Sequence, residues 1–371
     1  MLDCVRIKNF KSIVNLEFNL GRINIFIGAN GCGKTNILEA IAIASAANQN
    51  KLDNEYLGTR LRMTGPDFFL SGFDESGEVS SKITITVSET NRLDANIQCV
   101  LFHDSKTDKW VNESALKIVG ELVLGIEKKE IYRKFDDISK FLKTNNVILH
   151  DSPRLDSYLI FSPEETNLRK FSDDTMIRPL GRRGEGMFQH LKELLTNGNK
   201  EEIIHALNKG LYFLDWFKGF SLPTDLFTQE ARLDISDRFL KEAKQVFDQR
   251  STNEGFLYLL FYLTLFNSPQ TPSFFAIDNI ENSLNPKLLR RLLQHFTEVA
   301  KKTDKQVIIT THSPYVLDGL DLSDDEQRLF IVRRNIDGHT KVSRIPHKEN
   351  RTLPLSEIWM SGVLGGLPDN F

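Results

Sequence analysis

Cysteine is scarce in this chain of 371 residues: Cys4, Cys32 and Cys99 are the only three. An odd count without metal-ligand spacing excludes a disulfide framework and a zinc site, and points to a reducing cytoplasm. Long apolar runs are missing too. The longest, Phe256 to Phe266, falls short of the roughly 18 residues a membrane span needs, and reads as a buried helix. The first ten residues, MLDCVRIKNF, carry no apolar stretch of the signal-peptide kind. The expectation is a cytoplasmic protein with no membrane partner. Charge of one sign is also lacking. Lys and Arg total 47, Asp and Glu 50, giving a net charge of −3, which excludes a strongly basic body that coats nucleic acid. No repeat, low-complexity tract or sustained heptad occurs, so solenoids and long coiled coils are excluded. Phenylalanine, by contrast, is abundant at 26 residues, and the expectation for it is core packing.

The length allows one large domain or a core with an inserted lobe. Residues 3–27 read as three short strands, a glycine-rich turn follows at Gly28–Gly33, and a helix runs from about Lys34 to Ala47. Residues 48–80 read as loop with short elements. SKITITVSE (81–89) and NIQCVLFH (97–104) are strands. Residues 112–146 read as helices, NVILH and SYLIFS as returning strands, and 185–250 as mostly helical. From Ser251 the order is regular: helix at 254–267, buried strand SFFAID (273–278), helix at 286–302, buried strand QVIITT (306–311), then the pair RLFIVRR and KVSRI. Apolar strands alternating with helices indicate an α/β protein with a parallel sheet. Residues 1–110 are expected to form the first part of a core, 111–245 an inserted, mostly helical lobe, and 246–371 the second part.

The strongest chemical signal is Gly28-Ala29-Asn30-Gly31-Cys32-Gly33-Lys34-Thr35, a complete G-x-x-x-x-G-K-[ST] between strand and helix. Glycines let successive backbone N–H groups turn toward phosphate oxygens, and the helix start adds the positive end of its dipole. Lys34 can reach the β- and γ-phosphates of ATP, Thr35 can ligate Mg²⁺, and Asn30 to Asn36 line the turn. Cys32 reads as a small filler, or as a thiol whose pKa a helix N-terminus lowers.

PSFFAIDNIENSLNP (272–286) supplies a second half-site. Asp278 ends a buried strand and can hold Mg²⁺ opposite Thr35. ATPases of this kind usually place a glutamate next. Here Asn279 follows, which can orient water but cannot accept its proton. Either Glu281 supplies the base, or hydrolysis is slow and the protein works as an ATP-controlled clamp. His312, after the second buried strand, is a candidate γ-phosphate sensor.

IKNFKSI (7–13), GANGCGKTNILEAI (28–41), IDNIENSLNP (277–286) and TTHSP (310–314) resemble the ABC-type ATPases of the RecF, SMC and OLD-nuclease group. The resemblance implies a P-loop NTPase with a mixed sheet and sites completed between two subunits. One subunit's phosphate loop would face the other's signature turn. The matching place is Ser251-Thr252-Asn253-Glu254-Gly255, with the signature serine displaced to Ser251 or replaced by Asn253. Ser283-Leu284-Asn285-Pro286 matches the loop that crosses the dimer seam. The span from Asn36 to Ser251 is too short for SMC arms, and too few residues follow His312 for a fused nuclease. PLGRRGEGMFQHLKELL (179–195) and LSEIWMSGVLGGLPDNF (355–371) resemble stand-alone ATPases encoded beside an effector in anti-phage systems of the PARIS, Septu and retron-associated types.

That resemblance implies an ATP-dependent homodimer or higher oligomer that controls a separately encoded effector, a nuclease. The alternative is a RecF-like DNA repair clamp. For DNA as a partner, the candidate contacts are Lys287, Arg290 and Arg291, then Lys301, Lys302 and Lys305, and Arg182 with Arg183. A solvated helix face is the simpler reading of the same charges.

Overall fold

The computed structural model describes residues 1–62, 68–73, 81–90, 96–105, 109–119, 151–171, 177–197, 200–222, 232–241, 246–349 and 352–367, with positions 121, 124, 131, 138 and 141. Strands β1 (Leu2–Phe10), β2 (Ile13–Asn19) and β3 (Ile23–Ile27) lead into helix α1 (Lys34–Asn48) and the short α2 (Asn54–Gly58). Strands β4 (Lys82–Glu89), β5 (Asn96–Asp104) and β6 (Lys109–Asn112) precede the short helices α3 (Glu113–Ile118) and α4 (Pro153–Asp156). Strand β7 (Ile160–Phe161), helices α5 (Glu165–Leu168), α6 (Met187–Asn197) and α7 (Lys200–Leu211), and strands β8 (Phe217–Ser221), β9 (Asp234–Asp237) and β10 (Val246–Phe247) follow. The last third contains helix α8 (Glu254–Asn267), strand β11 (Phe274–Ile277), helix α9 (Pro286–Lys302), strands β12 (Gln306–Thr311), β13 (Gln327–Arg334) and β14 (Thr340–Ile345), and helix α10 (Leu355–Met360).

Two larger sheets carry the fold. One is antiparallel, in the order β2-β1-β4-β5-β6. The other runs β14-β13-β3-β12-β11-β7, with every neighbouring pair parallel except β13 and β14. In β3, side chains alternate between two cores. Ile23, Ile25 and Ile27 pack with α6 to α9, while Phe26 packs with α1 and the antiparallel sheet. Both faces of the parallel strands are therefore covered, which is why they read as unbroken apolar runs. Phenylalanine rings fill these interiors: Phe266 stacks on Phe296 with centroids 4.0 Å apart, and Phe26 meets Phe330 edge-on at 5.0 Å.

Helix α9 is amphipathic, burying Leu288, Leu289, Leu292, Leu293 and Phe296. Helix α8 buries every residue from Phe256 to Phe266. No helix among the described residues is long and apolar enough to cross a membrane.

The stretch 185–250 differs from the sequence expectation. Its first part is helical, but β8, β9 and β10 form a three-stranded antiparallel sheet. Phe217, Ile235 and Phe247 have the aromatic and β-branched character of strands. Phe217, together with Trp216, packs against Phe256 of α8. Strand β6 and helix α10 also have no counterpart in the sequence reading. Most of the helices expected at 112–146, the strand NVILH and part of the SLPTD turn lie outside the described residues.

Candidate nucleotide-binding site

The ends of β3, β11 and β12 are neighbours in one parallel sheet. The loops at their carboxyl ends share the crevice where open α/β sheets bind ligands. The first loop is Gly28–Gly33. Gly31 and Gly33 have φ of 75° and 106°, a left-handed setting that favours glycine. Gly28 lies so close to the Val332 carbonyl that any Cβ would collide with it. The loop is braced from outside: Thr340 donates to the Cys32 carbonyl at 2.9 Å and meets Ser12 Oγ at 2.7 Å, and Asn36 donates to Ser12 Oγ at 2.8 Å. Asn30 and Gly31 form its exposed rim. Burial pushes the Cys32 thiol pKa up despite the nearby Lys34 ammonium, so Cys32 is a packed thiol and not an activated one.

Lys34 Nζ donates to the carbonyls of Gly28 at 2.7 Å and Ala29 at 3.1 Å, and lies 3.3 Å from His312 Nδ1. With Lys34 donating, Nδ1 accepts and the imidazole proton sits on Nε2. Burial lowers the Lys34 pKa, opposed by Cys32, Asp278 and Glu281. Burial, then the Lys34 charge, lowers that of His312. The imidazole is therefore neutral at pH 7.

Thr35 Oγ1 is 3.2 Å from Asp278 Oδ2, and Thr310 Oγ1 donates to Asp278 Oδ1 at 2.5 Å. Asp278 itself is fixed by its N–H to the Phe161 carbonyl at 2.8 Å. Asn279 has φ 58°, a left-handed conformation asparagine tolerates better than most residues. Its N–H donates to Thr310 Oγ1 at 3.0 Å. Glu281 accepts from the His312 N–H at 2.8 Å and from Thr311 Oγ1 at 2.8 Å, one bond on each carboxylate oxygen.

These residues fit a magnesium nucleotide. A hydroxyl and a carboxylate sit close enough to share one cation, beside a lysine whose present acceptors are two loop carbonyls and His312 Nδ1. Among the described residues no group of three or more His, Cys, Asp or Glu gathers. A divalent ion held by Thr35 and Asp278 would take its remaining ligands from phosphate and water, as Mg²⁺ does.

The signature candidates lie elsewhere. Asn253 caps α8, accepting from the Phe256 N–H at 2.9 Å, and Ser251 Oγ donates to Asp248 at 3.0 Å. Asn253 and Gly255 line an open cleft of about 720 Å³ with Ser283, Asn285, Arg169 and Trp216. Ser283 Oγ donates to Glu254 at 2.7 Å, joining the two loops. The side-chain hydrogen bonds of Ser251 and Asn253 stay within the segment from Asp248 to Phe256.

Two of the basic residues considered for DNA are not free to meet it. Lys305 is buried, donates to the Thr271 and Pro272 carbonyls, and has its pKa pushed down to about 8 by burial. Arg182 turns inward to the carbonyls of Ile160 and Thr59. Lys301 pairs with Asp324 at 2.7 Å. Lys287, Arg290 and Arg291 remain exposed on α9.

Sequence reasoning missed Glu39, one turn beyond Thr35 on α1. It is buried and bonded to Lys11 at 2.6 Å and Arg62 at 2.9 Å. A lone acid inside the otherwise apolar run Ile37-Leu38-Glu39-Ala40-Ile41 was the available signal.

Residues 23–318 match the family described as "AAA domain, putative AbiEii toxin, Type IV TA system". A Helicobacter pylori protein called ATP/GTP phosphatase is 24% identical over 339 residues, 86% of this chain and 88% of that protein. The DNA replication and repair protein RecF of Clostridium botulinum is 30% identical over 122 residues, 33% of this chain and 29% of RecF. Among solved structures, an Smc head bound to the C-winged helix domain of ScpA superimposes with TM-score 0.54 at 16% identity, covering 93% of this chain and 98% of that one. An Smc head with an extended coiled coil, bound to the C-terminal domain of ScpA derived from Pyrococcus furiosus, gives TM-score 0.54 at 15% identity, covering 93% and 96%. The fold is that of the ABC-type head domains.

Proposed function

The chain belongs to the AAA-domain family that its residues 23–318 match, and on that footing we propose that it binds Mg-ATP, hydrolyses it slowly, and dimerises on it. The observation that carries this reading is the convergence of three strand ends. Thr35 and Asp278 lie 3.2 Å apart, and Lys34 and His312 3.3 Å apart, although each pair is separated by more than 240 residues of chain.

In this reading Lys34 exchanges its loop carbonyls for the β- and γ-phosphates. Thr35 and Asp278 would hold Mg²⁺, which would supply neutralisation of the phosphate charge. Neutral His312 offers its Nε2–H to the γ-phosphate. Both carboxylate oxygens of Glu281 are engaged in setting the end of β12, so it acts by positioning His312. Asn279 orients water without taking its proton, and hydrolysis is slow for that reason. Asn30 to Asn36 cradle the phosphates. Residues 1–110 and 246–371 supply the nucleotide-binding loops of the ATPase core, and the inserted segment 111–245 adds β7 to the core sheet and packs α6 and α7 against it.

The open cleft lined by Asn253 and Gly255 supports a dimer, since it leaves the signature turn accessible to a second copy's nucleotide. Control of a separately encoded nuclease effector in anti-phage defence follows from the resemblance of the two segments at 179–195 and 355–371. The RecF match supports a second reading, an ATP-dependent DNA clamp, which would use the exposed Lys287, Arg290 and Arg291.

Equilibrium ATP binding and light scattering with and without Mg-ATP test the proposal. Wild type should bind and roughly double in mass, and Lys34→Ala should do neither. Equal ATP affinity in Lys34→Ala would refute the site. Salt-sensitive DNA binding that is lost in Arg290→Ala/Arg291→Ala would favour the clamp.

A further inference from the structure

The segment after β14 returns to the phosphate loop. Helix α10 buries Leu355 and Trp359 in the main core, and Leu364 and Leu367 pack against it. At one end of the segment, Ser356 binds Asp318 twice, N–H to Oδ1 at 3.0 Å and Oγ to Oδ2 at 2.7 Å. Asp318 lies in the 3-10 turn Pro314–Gly319, which begins two residues after His312. At the other end, the Gly366 carbonyl accepts from the Ala29 N–H at 3.2 Å. Three glycines shape this return, Gly362, Gly365 and Gly366, with φ of 78°, 71° and 83°. A Cβ on Gly366 would come 2.5 Å from Ile331 Cγ2 on β13, so the carbonyl holding Ala29 is set by close packing as well as by φ.

We propose that residues 355–367 form a strap that positions the nucleotide site, tying the phosphate loop at Ala29 to the turn after His312 through Gly366 and the Ser356–Asp318 pair. Ala29 is the second residue of the loop, upstream of the N–H groups at the helix start. The strap therefore fixes the loop's entry and leaves its phosphate-facing edge open. It is stretched between the two groups that would respond to the γ-phosphate, Lys34 and His312. Gly366 and Ser356 touch no substrate in this arrangement and act through Ala29 and the turn at Asp318. The inference rests on the nucleotide reading above, but the Ala29–Gly366 contact does not.

Three variants test it in the full-length protein: Ser356→Ala, Gly366→Ala and the conservative Ser356→Thr. Ile336→Ala, at a fully exposed hairpin position, serves as control. The readouts are Mg-ATP affinity, urea unfolding without nucleotide, and hydrogen exchange of the phosphate-loop amides. The strap predicts that Ser356→Ala and Gly366→Ala each weaken Mg-ATP binding about tenfold, the scale of one lost hydrogen bond. Ser356→Thr and Ile336→Ala should match wild type. Because both lesions break one connection, the double variant should be little worse than either single one. Exchange at Ala29 should quicken in Gly366→Ala. Affinity within about twofold of wild type in both alanine variants overturns the strap, as does a loss that only tracks lowered stability. If wild type binds no Mg-ATP, the functional reading fails, and the strap stands or falls on exchange at Ala29 alone.

Discussion

Replacing Glu39 by alanine should destabilise the protein by about 3 kcal/mol, and the surroundings of this carboxylate set that figure. Its side chain is 1% exposed and pairs with Lys11, 14% exposed, and Arg62, 63% exposed. The Arg62 backbone N–H adds a third bond at 3.1 Å. Removing one partner of a buried ion pair costs about 3–5 kcal/mol, because the remaining charge stays desolvated. Arg62 is largely solvated, so its share is small. Lys11 keeps some compensation from the rings of Phe10 and Phe69, 5.5 and 5.1 Å away, which places the total near the lower limit. Urea unfolding of wild type and Glu39→Ala at pH 7 measures the difference. Glu39→Leu combined with Lys11→Met should recover much of the loss, since an apolar pair leaves no orphaned charge. The pH dependence has a definite sign. Burial alone would raise the Glu39 pKa, but Arg62 and Lys11 outweigh it and hold it below 4.5. The stabilisation is therefore complete above the unfolded value and disappears as pH falls through the folded one. A Glu39→Ala variant within about 1 kcal/mol of wild type at pH 7 would refute the assignment of a buried, charged carboxylate.

Three further variants test other parts of the structure. His190 is buried against Ser268 Oγ at 2.9 Å, and burial pushes its pKa down to about 4 from 6.5. The unfolded chain binds the proton first, so stability falls as pH drops from 6.5 to 4, by about 3 kcal/mol at 1.36 kcal/mol per pH unit. His190→Gln should flatten that slope in acid-unfolding curves, and an unaltered slope would contradict the burial argument. Asn279→Glu should lose about 1 kcal/mol to left-handed strain while raising phosphate release, whereas Glu281→Ala, which removes the acceptors of the His312 N–H and Thr311 Oγ1, should impair release through misplaced His312. Unchanged release in both variants would remove these residues from the reaction.

The parts of the site that were legible in the sequence are those whose geometry is local. Gly28 to Thr35 specifies its own turn, and Asp278 and His312 were placed by the buried strands they terminate. The contacts that hold the site in place were not legible, because they join distant segments: Thr340 to Cys32, Gly366 to Ala29, Ser356 to Asp318. Direction was hidden as well. Lys305 and Lys301 look alike on paper, but one faces the core and the other faces Asp324. Strands β8 to β10 are short and irregular, and their aromatic residues take strand geometry only because α8 gives them a surface to pack on.

Helix α8 is apolar on every side, and one core surrounds it together with Ile23, Ile25 and Ile27 of β3. The Asn253 turn at its tip therefore has no hinge of its own. It can be re-aimed only if the whole rod tilts in its bed, about 20 Å from tip to tail. A packing change at Phe266, at the tail, would then act like a hand on a tiller. In the proposed dimer it would steer how one protomer meets the next without touching the surface where they meet.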